Sequence, residues 1–258
     1  MQLSNALFVL PTLFTLTSVF LGVLSLVNSA EGSFGAAALA IVFAFVFDSL
    51  DGRVARLTRT QSKFGTQIDS LSDVISFGVA PGVLVYMSLL RDQLMVGSLD
   101  VGLVLCFLYV AAGAIRLARY NVEAERKPGP VKMFTGMPIP GAAGFAAGLV
   151  LGLEREGCTV APLVAGLIML GLALLMVSTI KYRKSVGVRE ASTRVLLGML
   201  LATMVVVGVV RPPYVAFSFF AFYVVSGFID GGIKRMFPVR VPPPDAADGN
   251  RPGESKDV

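Results

Sequence analysis

Asp48-Ser49-Leu50-Asp51-Gly52-Arg53-Val54-Ala55-Arg56 is followed, eight residues on, by Gly65-Thr66-Gln67-Ile68-Asp69-Ser70-Leu71-Ser72-Asp73. Four carboxylates stand here at spacings of three and four, between flanks that are otherwise membrane-apolar. An ionisable side chain at the edge of a bilayer is costly and needs a reason. Acids converging on one place repel one another unless a cation joins them. Asp48 and Asp51, three apart, share one helix face; Asp69 and Asp73, four apart, share another. The short link from Leu57 to Gly65 brings the two helix ends together. The economical reading is a divalent-metal site built on two helices where a membrane protein meets water. Hard oxygen ligands of this kind suit Mg²⁺ or Mn²⁺ rather than zinc or copper.

The flanks carry the same message. The chain has 258 residues, of which 55% are apolar, with mean hydropathy +0.75. That is the composition of a polytopic membrane protein. Apolar runs near the about 20 residues needed to span a bilayer fall at about 7–28, 34–57, 66–90, 99–121, 137–154, 159–180, 194–210 and 213–235. The fifth and seventh are short. The first run has no basic segment before it and exceeds a usual signal-peptide core, so it reads as a retained helix. The fold expected is an all-α polytopic membrane protein with about eight transmembrane helices.

Charge placement orients it. Nineteen of the 22 basic residues fall in the 2–3, 4–5 and 6–7 links and the C-terminal tail, whereas Arg91, Arg155 and Arg211 fall on the other side. The positive-inside rule then places both termini and the aspartate motif in the cytoplasm. A net charge of +5, spread over membrane-edge loops, suits an anionic lipid surface and is no argument for nucleic acid. The sequence contains no histidine. Histidine general bases, histidine-ligated zinc and histidine triads are therefore excluded, and proton transfer falls to Asp, Glu, Lys, Tyr or Cys. Cys106 and Cys158 form no metal-like pair and read as ordinary small apolar residues. Residues 241–258, rich in Pro, Asp and Gly, are expected to be a disordered cytoplasmic tail.

The pattern D-x2-D-G-x2-A-R-x8-G-x3-D-x3-D resembles the defining motif of the CDP-alcohol phosphatidyltransferase family at every specified position: Asp48, Asp51, Gly52, Ala55, Arg56, Gly65, Asp69 and Asp73. Ser70–Pro81, Ile115–Asn121, Phe134–Pro140 and, more weakly, Met176–Tyr182 resemble the phosphatidylserine synthase branch. The resemblance implies a six-helix catalytic core over 1–184, with residues 185–240 as a two-helix C-terminal extension. It also implies a homodimer and a bacterial cytoplasmic membrane.

The activity implied is transfer of a phosphatidyl group from CDP-diacylglycerol to an alcohol, with release of CMP. Asp48, Asp51 and Asp69 would hold two metal ions, and Asp73 would be both a ligand and the general base. Gly52 leaves room beside the metals, and Ala55 keeps the gap between the helices small. Arg56 offers a planar fork for phosphate oxygens. Gly65 is expected to permit the turn into the third helix. Ser62 reads either as a contact to the nucleotide or as an exposed loop serine.

The acceptor implied is L-serine, whose carboxylate needs a cation. Arg116, Arg119, Lys132 and Lys184 are the candidates, with Lys181 beside them and Tyr120 and Asn121 as possible hydrogen-bond donors; for each cation the plain alternative is membrane topology or headgroup contact. Glycerol-3-phosphate or inositol phosphate would also ask for several cations. The string after Asp73, Ser76-Phe77-Gly78-Val79-Ala80-Pro81, favours serine. A cation transporter is the reading from another class, but transporters place such acids near the bilayer midplane on broken helices. A non-catalytic lipid-binding protein would not need four aspartates.

Overall fold

A computed structural model of the chain describes residues 2–58, 60, 62–126, 133–178 and 181–183. The described residues are mostly helical, with two small two-stranded antiparallel sheets. Helix α1 spans Gln2–Ala30 and α2 spans Phe34–Thr58. The helical run Phe64–Leu90 is α3, Val101–Arg126 is α4, Ile139–Glu156 is α5 and Pro162–Val177 is α6. Within these, Pro11–Ala30, Phe34–Thr58, Phe64–Leu90 and Val101–Ala124 are long and apolar enough to cross a membrane. The chain is an integral membrane protein. The seventh and eighth candidates, 194–210 and 213–235, and the 241–258 tail lie outside the described residues.

Local chemistry sets the helix boundaries. Gly32, at φ 77°, reverses the chain after α1, and Ser33 N–H closes the turn on Asn28 O at 2.8 Å. Proline stands in the first turn of both α5 and α6, where its missing N–H costs nothing. Gly157, in the left-handed region, terminates α5. Asp100 starts α4 by accepting from Leu103 N–H at 3.1 Å. The Tyr86 hydroxyl, 2.7 Å from Asp100 Oδ2, and that N–H hold the Asp100 carboxyl below its ordinary value. The fifth run, expected at 137–154, is an 18-residue helix ending in Glu154-Arg155-Glu156. The sixth, expected at 159–180, is a 16-residue helix.

Helix α3 is not uniformly α-helical. Val74–Val79 and Tyr86–Leu90 are π-helical, a local widening of the helix that often accompanies functional sites. The first of these stretches carries a buried anchor: Tyr109 of α4 donates its hydroxyl to Phe77 O at 2.9 Å. Around it lies the core, with Ile41, Phe77, Leu84, Met137, Ile139, Met169 and Met176 fully buried.

Small and hydroxylated residues let α1, α2 and α3 approach closely, as is usual between helices in lipid. A Cβ on Gly22 would lie 2.9 Å from Ser76 Cα, so α1 and α3 touch nearly backbone to backbone there. Hydroxyls stitch the seam. Ser76 Oγ donates to Ser18 O at 2.9 Å, and Ser18 Oγ to Ala44 O at 3.3 Å. On the far side of the molecule, Met95–Val96 pairs with Leu99–Asp100. Next to the other end, Met133–Thr135 pairs antiparallel with Lys181–Arg183, so the segment before α5 is tied to the segment after α6.

Candidate active site

The link between α2 and α3 is short and locally determined. Ser62 caps α3, its Oγ accepting from Gly65 N–H at 3.0 Å. A cap of this kind satisfies an amide that the first turn leaves unpaired. Sequence reasoning offered Ser62 as a nucleotide contact or a loop serine; the structure places it at the helix start. Gly65 differs from expectation in the same way. It lies inside the first turn of α3, not in the turn before it, and an added Cβ there would sit 3.2 Å from Ser62 Oγ. Its smallness protects the cap.

With the two helix ends fixed, the acids meet. Asp48, Asp51 and Asp69 each offer a carboxylate oxygen, all within 4.8 Å of one another. Asp73 stands beside this triad. Its carboxyl is within hydrogen-bonding reach of that of Asp48, and its Oδ1 is buried with no hydrogen-bond partner among the described residues. Converging carboxylates with an orphaned buried oxygen are what a cation would complete, and every donor in the set is a hard oxygen. Asp48, Asp51, Asp69 and Asp73 therefore fit a Mg²⁺ or Mn²⁺ site.

Two further residues hold the cluster. Thr15 of α1 donates its hydroxyl to Asp51 Oδ2 at 2.7 Å, and both residues are buried. Sequence reading missed Thr15; its only signal was a hydroxyl in an apolar helix, one turn before Ser18. Asn121 Nδ2, at the far end of α4, donates to Ser70 Oγ at 2.9 Å and fastens α4 to the acid-bearing face of α3.

The candidate cations separate. Arg116 is 5% exposed and acts electrostatically on Asp73. Arg119 reaches elsewhere, donating to Val177 O at 3.2 Å and Ser178 O at 3.4 Å, where it caps the end of α6 against its dipole. Arg56 is exposed, on the same helix as Asp51 and electrostatically coupled to it. Gly52 faces it, and an added Cβ would lie 3.6 Å from an Arg56 guanidinium nitrogen. Ala55 is half-buried one position before Arg56. Lys132 and Lys184 lie outside the described residues, as do the side chains of Lys181–Arg183. On the two helices that carry the acids, Leu57, Phe64 and Leu71 are 84%, 72% and 66% exposed.

The sequence family described as CDP-alcohol phosphatidyltransferase matches residues 8–180. The chain is similar to a CDP-diacylglycerol–serine O-phosphatidyltransferase of Helicobacter pylori, at 37% identity over 87% of this chain and 92% of that protein. It is also similar to an archaetidylserine synthase of Methanothermobacter thermautotrophicus, at 40% identity over 69% of this chain and 71% of that protein. A CDP-diacylglycerol–serine O-phosphatidyltransferase of Methanocaldococcus jannaschii is 37% identical over 56% of this chain and 62% of that protein. The matched region contains the acid cluster, both helices that carry it and the Arg116 turn, and with that the chain belongs to the CDP-alcohol phosphatidyltransferase family.

Proposed function

We propose that this enzyme transfers the phosphatidyl group of CDP-diacylglycerol to the hydroxyl of L-serine, giving phosphatidylserine and CMP. The observation that carries the reading is the buried Arg116 beside Asp73, in a family member whose relatives bear serine-transferase names. A guanidinium offers a bidentate fork for a carboxylate, and serine is the acceptor that brings one. Set next to the base, that fork would hold the serine hydroxyl where its proton can be taken. The exposed apolar side chains Leu57, Phe64 and Leu71 on the acid-bearing helices suit a donor whose acyl chains stay in the bilayer.

In this reading Asp48, Asp51, Asp69 and Asp73 hold two Mg²⁺ or Mn²⁺ ions, which when bound neutralise the donor pyrophosphate and the departing CMP. Arg56 grips the phosphate oxygens of the cytidine end, and Gly52 and Ala55 leave room for them. Ser62 contributes by shaping the link through its cap. Asp73 accepts the serine proton as the hydroxyl oxygen bonds to the β-phosphorus and the bond to CMP breaks. Its weakness as a base is offset by positioning and by cationic surroundings. Arg119 orders the end of α6, while Lys132 and Lys184 remain candidates for the outer part of the acceptor site. The basic side of the membrane, taken as cytoplasmic, carries the site. A homodimer is carried over from the family resemblance alone. The division into a 1–184 core, a 185–240 extension and a 241–258 tail is likewise a proposal from sequence.

The test is incorporation of labelled L-serine into lipid by purified protein given CDP-diacylglycerol and Mn²⁺ or Mg²⁺. Labelled phosphatidylserine with matching CMP supports the reading, and CMP release without labelled lipid contradicts it. Two substitutions probe the parts. Arg116→Ala is expected to raise the KM for serine by about tenfold or more, as loss of a charge-assisted hydrogen bond does, with a smaller effect on the donor KM. Equal effects on both would take the acceptor role from Arg116. Arg56→Lys is expected to weaken use of the donor several-fold, because a point charge does not replace the planar fork. Unchanged donor kinetics would remove Arg56 from the phosphate grip.

A further inference from the structure

We infer that Thr15 of α1 is a positioning residue for the metal site: it fixes the rotamer of Asp51 so that its carboxylate faces Asp48 and Asp69. The inference rests on the metal reading above and adds to it a third helix, whose sequence lies outside the aspartate motif. Three observations carry it. Thr15 Oγ1 donates to Asp51 Oδ2 at 2.7 Å across 36 residues of sequence. Both side chains are buried, at 6% exposure each, so water does not compete for the bond. Thr15 is itself held in place, because Ser72 Oγ, one residue before Asp73, donates to Thr15 O at 3.3 Å. The geometry therefore links the acid-bearing faces of α2 and α3 through one residue of α1.

The consequence follows from elementary coordination chemistry. A carboxylate ligand has two oxygens and a freely turning terminal torsion. Bonding Oδ2 to a hydroxyl proton fixes the carboxylate plane and removes the entropy of choosing between orientations. Partners of this outer kind typically change metal affinity or activity by about 10–100-fold when lost. Thr15 also has a local alternative, since its hydroxyl lies 3.1 Å from Pro11 O. The β-branched Val, close in shape and lacking the hydroxyl, loses both this bond and the Asp51 bond, whereas Ser keeps both; a Mn²⁺ readout reports the loss at Asp51.

The experiment titrates Mn²⁺ into the purified, detergent-solubilised protein, with and without CDP-diacylglycerol, and counts free Mn²⁺ by electron paramagnetic resonance. No turnover is needed. Thr15→Val is expected to weaken Mn²⁺ binding by about tenfold or more. Thr15→Ser, which restores the hydroxyl, is expected to stay within about twofold of wild type, since about 0.4 kcal/mol separates those values. Ser72→Ala, which loosens the seating of Thr15 but leaves its hydroxyl in place, is expected to weaken Mn²⁺ binding by clearly less than Thr15→Val does. Thr15→Ala repeats the test should the valine variant fail to fold. The inference is overturned if Thr15→Val or Thr15→Ala binds Mn²⁺ as wild type does. It is also overturned if Thr15→Ser is as impaired as Thr15→Val, or if Ser72→Ala loses as much. Wild-type protein that binds no Mn²⁺ under either condition would overturn the metal reading itself, an outcome distinct from all of these.

Discussion

Asp73→Asn is expected to lower CMP release by a factor on the order of 10²–10⁴, the contribution typical of a positioned general base. The substitution keeps the size and shape of the side chain but removes its ability to accept a proton. Asp73 stands beside the triad and not within it, since Asp48, Asp51 and Asp69 are the acids whose oxygens lie within 4.8 Å of one another. Metal binding is therefore expected to persist in the variant, weakened by much less than turnover. Paired measurement of Mn²⁺ affinity and single-turnover CMP release separates the two effects. Turnover near the wild-type rate would take the base role from Asp73. Equal collapse of both quantities would make Asp73 chiefly a ligand.

Asp51→Ala is expected to have the opposite signature, with metal affinity and turnover falling together. The loss should exceed the about 10–100-fold that follows removal of an outer-shell partner, because a ligand itself is gone. The fold is expected to survive. Asp51 is buried, yet its neighbour Thr15 has the Pro11 carbonyl at 3.1 Å to fall back on, and relieving carboxylate repulsion with Asp48 and Asp69 favours the variant without metal. Thermal denaturation in the presence of chelator checks the point. A folded Asp51→Ala protein that still binds Mn²⁺ at wild-type strength would remove Asp51 from the ligand set.

Much of this was legible in sequence because helical geometry is periodic. Spacings of three and four place Asp48 with Asp51 and Asp69 with Asp73 on shared faces, and a short link leaves the two helices few ways to diverge. The apolar runs located the first six helices to within a few residues, and the ends the structure gives them fall beside Gly32, Pro138, Pro140, Gly157 and Pro162. What sequence did not disclose depends on which helices touch. Thr15 lies 36 residues from Asp51, and nothing local distinguishes it from Thr17, which bonds back to Leu13 O in its own helix. Arg116 and Arg119 look equivalent as a pair three apart; only the packing of α4 against α6 sends Arg119 to the carbonyls of Val177 and Ser178 while Arg116 stays beside Asp73. Ser62 is a residue type that the capping rules favour at a helix start, but the motif around it drew the reading to a nucleotide contact or a loop serine, and Gly65 to the turn before the helix. The first π-helical stretch of α3 did leave a mark in residue type: Pro81 has no N–H to give to Phe77 O four residues back, and the Tyr109 hydroxyl takes up that carbonyl.

The most direct test of the account is an acceptor panel on the purified, detergent-solubilised protein. CDP-diacylglycerol and Mn²⁺ or Mg²⁺ are supplied with serine, glycerol-3-phosphate or inositol phosphate in turn, and CMP release is read in each. Metal-dependent release with serine, and not with the two phosphorylated alcohols, is the result expected. Release only with a phosphorylated alcohol would leave the acid cluster and its chemistry in place and contradict the serine assignment built on Arg116. Folded protein that binds metal and releases no CMP with any of the three would contradict the transfer reaction itself.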